Sequence, residues 1–183
     1  RAGSATRERA WRSEDPEDWR RSFEQSLSHS LGATTVRDLV VDDRPESDAF
    51  DFAVEFSTPR YARAIGPGLM TFRTAPLARR DPWSFTDSLR RAPIALRAQS
   101  FAETVSVSVP AGWKVDELPE PLPRAFDFGS IAAEWRALPD AVLFTFRAQL
   151  DPVTLPAGRY ADIRDWYAER RKAFNAPVVL TRR

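Results

Sequence analysis

The sequence predicts a mainly β protein, an antiparallel β-sandwich or two small packed sheets, with an N-terminal helix and a C-terminal helix. Three observations point there. Apolar residues alternate with polar ones at Phe50, Phe52, Val54 and Phe56, and again at Val105, Val107 and Val109, the two-residue period of strands with one wet face. Turn chemistry recurs at short intervals, in Gly66-Pro67-Gly68, Val109-Pro110-Ala111-Gly112 and Leu138-Pro139-Asp140-Ala141, as antiparallel connections require. A helical period of three to four residues appears only near the two ends.

Residues 1–14 alternate charged and small side chains without a period and read as a lead-in. Asp15 then supplies an N-cap, Pro16 suits the first helical position, and Glu17 and Asp18 favour the positive helix end. A linking helix over 15–32 follows, with Trp19, Phe23, Leu27 and Leu31 as one apolar stripe and Gly32 as its left-handed stop. Residues 33–183 make the β-rich domain, and a division into two subdomains would fall near 75–91. Within it, Val36–Val41 predicts a strand ended by a turn at Asp42-Asp43-Arg44-Pro45, and 50–57 the clearest strand. Tyr61–Ile65 and Leu69–Phe72 form a hairpin, and 74–91 crosses the surface as a loop with a short helical turn. Ile94–Ala98 and Phe101–Val109 are expected to pair as neighbours, and Trp113–Val115 to resume the same sheet. Leu118–Pro123 reads as a proline-rich loop, and Phe126–Phe128, Ile131–Leu138 and Ala141–Leu150 as three antiparallel strands. Tyr160, Ile163, Tyr167 and Phe174 mark the second amphipathic helix, and Val178–Leu180 a short closing strand.

At 183 residues, with 43% apolar and 29% charged side chains, the chain can bury a core without help from an oligomer or a metal. Basic and acidic residues nearly cancel, 27 against 26, so no strong positive field exists for a nucleic-acid backbone. No apolar run is long enough to span a bilayer. The chain opens at Arg1 rather than Met, which suggests a piece of a longer protein. Cysteine is absent, and with it every thiol nucleophile, thiolate metal site and disulfide.

Chemistry of its own is hard to assemble from what remains. His29, the one histidine, lies at the end of the first helix, where imidazole suits the negative helix end. No Gly-x-Ser-x-Gly elbow is present, and Gly129-Ser130 sits in a strand connection. Asp42, Asp43, Glu46 and Asp48 are oxygen ligands that calcium accepts, but without the spacing of a calcium loop. Trp83, Trp113, Trp135 and Trp166, with Tyr61 and Tyr160, could stack on sugars or peptides if exposed together; burial as core or rim anchors is the simpler expectation. No catalytic, cofactor-binding or metal-binding residue is therefore nominated, and no cofactor. The stripe Trp19, Phe23, Leu27 and Leu31 is the candidate interface, against packing on the chain's own sheet.

One ordered series of signals is distinctive. Arg91-Ala92-Pro93-Ile94-Ala95-Leu96, Glu103-Thr104-Val105, Val109-Pro110-Ala111-Gly112-Trp113-Lys114-Val115 with Leu118-Pro119, Phe128-Gly129, and Leu155-Pro156 with Tyr160 resemble the C-terminal β region, a domain of unknown function, of bacterial transglutaminase-like multidomain proteins. The resemblance covers roughly 36–180. It implies a non-catalytic structural or interaction domain, C-terminal to a papain-like transglutaminase domain that is its partner, in an exported protein of the periplasm or the exterior. It further implies that any cysteine chemistry sits elsewhere in the parent protein, and no catalytic residue transfers here, because that chemistry needs a cysteine. The alternative is a β-sandwich module that binds a carbohydrate or peptide of the cell envelope, with no nucleic acid and no membrane span.

Overall fold

A computed structural model describes residues 15–47, 49–77 and 89–183. The chain divides into two compact units, one ending at Tyr61 and the other running Ala62–Arg183.

The first unit is a helix on a hairpin. Helix α1 (Pro16–Leu31) starts as its sequence dictates: the Asp15 carboxylate accepts from the backbone N–H of Glu17 and Asp18, and Pro16 occupies the first turn. It ends at Gly32, whose φ of 87° is open to glycine and whose N–H donates to the Ser28 carbonyl at 3.0 Å. Strands β1 (Thr35–Arg44) and β2 (Ala49–Ser57) pair antiparallel across a 3-10 turn, Pro45–Ser47. The expected turn at 42–45 is therefore corrected: Asp42 and Asp43 stay in the ladder opposite Asp51 and Phe50. Arg44 makes this tolerable, since its guanidinium pairs with Asp42 at 3.2 Å and with Asp51, relieving the repulsion of two facing carboxylates.

The second unit is antiparallel throughout and fits two packed sheets. Its strands are β3 (Arg63–Gly66), β4 (Leu69–Arg73), β5 (Ile94–Ala95), β6 (Gln99–Ser108), β7 (Trp113–Glu117), β8 (Leu122–Phe126), β9 (Gly129–Ala137), β10 (Ala141–Leu150), β11 (Thr154–Leu155) and β12 (Pro177–Arg182), with helix α2 (Tyr160–Asn175) before the last. One sheet has the order β6-β10-β9-β8 and the other β3-β4-β12-β7, with a small β5-β11 ladder beside them. The hairpins written by local turn chemistry are present: β3–β4 turns at Pro67-Gly68, and β9–β10 closes with the Leu138 N–H on the Ala141 carbonyl at 2.8 Å.

Three expectations need correction here. Ile94–Ala95 pairs with Thr154–Leu155, not with its sequence neighbour. Between it and β6 the chain Leu96-Arg97-Ala98 has neither glycine nor proline to reverse it, and the Leu96 N–H instead bonds the Val153 carbonyl at 2.8 Å. The turn after β6 carries the chain out of its sheet, so β7 pairs with β12. Lastly, β8 begins inside the supposed loop. Its one proline, Pro123, survives because β8 is an edge strand, where a missing N–H breaks no ladder.

The core follows the parity of the strands. Val142, Phe144 and Phe146 of β10 meet Ile131, Ala133 and Trp135 of β9, all buried. From α2, Ile163, Trp166, Tyr167, Arg170, Ala173 and Phe174 are buried, and the Phe174 ring lies 4.6 Å from that of Phe146. In the other sheet Phe72, Val178 and Leu180 are buried. The Trp135 indole N–H crosses to the Thr74 hydroxyl just beyond β4 at 2.8 Å, so the polar atom of a buried tryptophan is satisfied.

Candidate functional site

The residues singled out from sequence mostly serve the scaffold. His29 is exposed in the last turn of α1. Of the acidic group, Asp42 is held by Arg44, and Asp48 lies outside the described residues. Among the described residues no cluster of three or more His, Asp or Glu side chains could hold a metal ion. Trp83 also lies outside them. Trp135, Trp166 and Tyr160 are buried and offer no face to a sugar ring.

The α1 stripe packs on its own hairpin. Trp19 and Leu27 are buried, while Phe23 and Leu31 are half-buried. Phe52 of β2 receives both aromatics edge-on, with centroids 6.5 Å from Trp19 and 5.6 Å from Phe23. Polar side chains of α1 pin the start of β1. The Glu24 carboxylate accepts the Val36 N–H at 2.7 Å and Arg20 donates to the Val36 carbonyl at 3.3 Å. That is where the ladder shifts register and the backbone needs other partners.

In the second unit the most built polar feature is a staple around Arg159. This residue precedes α2, and its guanidinium grips Asp127 through two bonds of 3.0 and 2.8 Å while also pairing with Asp162 in the first turn of α2. Asp127 sits in the β8–β9 turn beside Phe128, whose ring lies 6.0 Å below the same guanidinium. The bidentate bond holds the Asp127 carboxyl below the usual carboxylate range and pushes the Arg159 guanidinium further up. Gly129 completes the corner. A Cβ there would lie 2.2 Å from the Gln149 carbonyl oxygen, so only glycine allows β9 to approach β10 at this point. These are contacts that fix a turn against a helix.

A shallow depression of about 50 Å³ lies between β6, β10 and α2, lined by Gln99, Phe101, Ala148, Leu150, Trp166 and Arg170. Arg170 is buried, with its guanidinium 5.4 Å from the Phe174 ring. The Trp166 indole N–H makes no hydrogen bond, and the Glu103 carboxylate on β6 is screened from solvent. The space is that of a water or two, far below the several hundred Å³ of a ligand pocket. By residue type alone neither Glu103 nor Arg170 is expected inside. Parity could have found them, because Glu103 shares the inward face of Phe101 and Val105, and Arg170 follows Tyr167 by three and Trp166 by four.

The geometry is thus that of a packed domain in which Pro110–Gly112, Phe128-Gly129, Leu155 and Tyr160 are turn, corner and core positions. Residues 68–180, from the β3–β4 turn to the middle of β12, match the family model DUF3858, described as a domain of unknown function with solved structure. The chain belongs to the DUF3858 family. The match takes in β4–β11, α2 and the first part of β12 in the second unit, and leaves β3 outside. No curated protein and no solved structure matches the chain. Within the DUF3858 region, Gly112 has a φ of 81° and Phe128 is almost wholly buried, so both belong to the shape of the domain. Among the described residues, no helix is long and apolar enough to cross a membrane.

Proposed function

We propose that this DUF3858 chain is a non-catalytic structural and interaction domain, C-terminal to a transglutaminase-like domain in a larger exported bacterial protein, where it packs beside that domain and shapes access to it. One observation carries the reading: three of the stretches in the resemblance, Pro110–Gly112, Phe128-Gly129, and Leu155 with Tyr160, are turns, corners and core. The cysteine-free composition supports it, because acyl transfer through a thiolate then belongs to another part of the protein. A glycan- or peptide-binding module is the second class considered, and burial of Trp135, Trp166 and Tyr160 weighs against it.

The test compares two proteins. The coding sequence upstream of Arg1 is read for a cysteine with a downstream histidine and aspartate, expected within about 150 residues. The longer protein is then assayed beside the 183-residue chain on γ-glutamyl amide, ester and glycoside substrates. Turnover is expected from the longer protein, lost on thiol alkylation, with none from the chain alone. Reproducible turnover by the chain, abolished by altering one of its own polar residues, would overturn the reading.

A further inference from the structure

The outer edge of β6 is built for another strand. The Val109 N–H bonds the Asp140 carbonyl at 2.8 Å, and the β6–β10 register runs from there to Gln99 without a shift. Bonding alternates along an antiparallel ladder. Val107, Val105, Glu103, Phe101 and Gln99 therefore bond toward β10, and Ser100, Ala102, Thr104, Ser106 and Ser108 turn their N–H and C=O groups away from it. β6 is the last strand of its sheet, and among the described residues no strand pairs with that side. The open row runs for roughly 27 Å at the usual rise per residue.

Edges of this length are normally blunted by lysine, proline, a bulge or an inward charge. Gln99–Ser108 contains no lysine, proline or bulge. Its one charge, Glu103, points inward, but its oxygens are already shut off from solvent, so an added strand would not have to strip water from it. The five outward residues are small, uncharged and exposed.

We infer that β6 pairs antiparallel with β6 of a second copy of this chain about a two-fold axis at Thr104, joining two four-stranded sheets into one of eight. A second copy fits because the row is self-complementary. With Thr104 opposite Thr104, Ala102 faces Ser106 and Ser100 faces Ser108. Every facing pair on the wet side is then neutral, and hydroxyl pairs recur, which favours cross-strand association.

The chain contains no cysteine, so a single Thr104→Cys substitution reports on the axis directly. Facing residues of a hydrogen-bonded pair have Cα atoms about 5.5 Å apart, inside the range a disulfide spans. Under mild oxidation T104C is expected to give a disulfide-linked dimer of twice the 20.7 kDa chain mass, while Arg136→Cys, exposed on β9, does not enrich it. In sedimentation equilibrium the wild-type mass should rise with concentration toward twofold, and Thr104→Lys, folded by its circular dichroism, should hold the monomer mass. A wild type that stays monomeric throughout, or T104K that associates equally, overturns the inference. If T104K does not fold, cross-linking of T104C no better than that of R136C overturns it alone.

Discussion

Asp127 and Arg159 stand 32 residues apart and yet share two hydrogen bonds, which gives the domain an acid-sensitive contact. The carboxyl is depressed in the folded chain, so its stabilising effect is complete above its ordinary value of 3.8 and is lost as pH falls below that through the folded value. Urea midpoints of the wild type should therefore drop more steeply below pH 4 than those of Asp127→Asn, and parallel curves would contradict this. Gly129→Ala forces a methyl group against the Gln149 carbonyl, and a loss of about 1–3 kcal/mol in urea unfolding is expected from such overpacking. Thr74→Val leaves the buried Trp135 N–H without its acceptor, at a cost of about 1–3 kcal/mol in the same measurement. The glycine corner was visible as a motif, but its cause, a neighbouring strand at contact distance, lies in the fold.

At the scale of elements, α2 packs on β10 through the rings of Phe174 and Phe146. Phe146→Ala and Phe174→Ala should each cost about 3–5 kcal/mol. Their effects should combine to less than the sum, because the rings touch at 4.6 Å. What was legible in the sequence was local. Asp15-Pro16 starts α1, the spacing of Tyr160, Ile163, Tyr167 and Phe174 sets the buried face of α2, and Leu138–Ala141 closes the β9–β10 hairpin. Long-range partners were not legible. Nothing near Ile94 names Thr154, and nothing near Trp113 names Arg182, since an edge of backbone donors and acceptors accepts any strand of matching parity. Prolines concealed β8 because the rule against them in strands lapses at a sheet edge. Of the residues weighed for chemistry, the place of His29 at the end of α1 was legible from the helix spacing. The lack of cysteine removes thiol chemistry from this chain, whereas Glu103 and Arg170 became visible only when parity placed them inside.

For the whole molecule, residues 62–183 have a core of their own in which β9, β10 and α2 bury one another's apolar faces. That fragment should unfold in one cooperative transition with native-like near-ultraviolet circular dichroism. The proposed function has this body pack beside a catalytic domain of the longer protein. The most direct measurement is the melting temperature and substrate preference of the longer protein with and without residues 62–183. A lowered melting temperature or altered substrate choice is predicted on removal; identical behaviour in both would contradict the account.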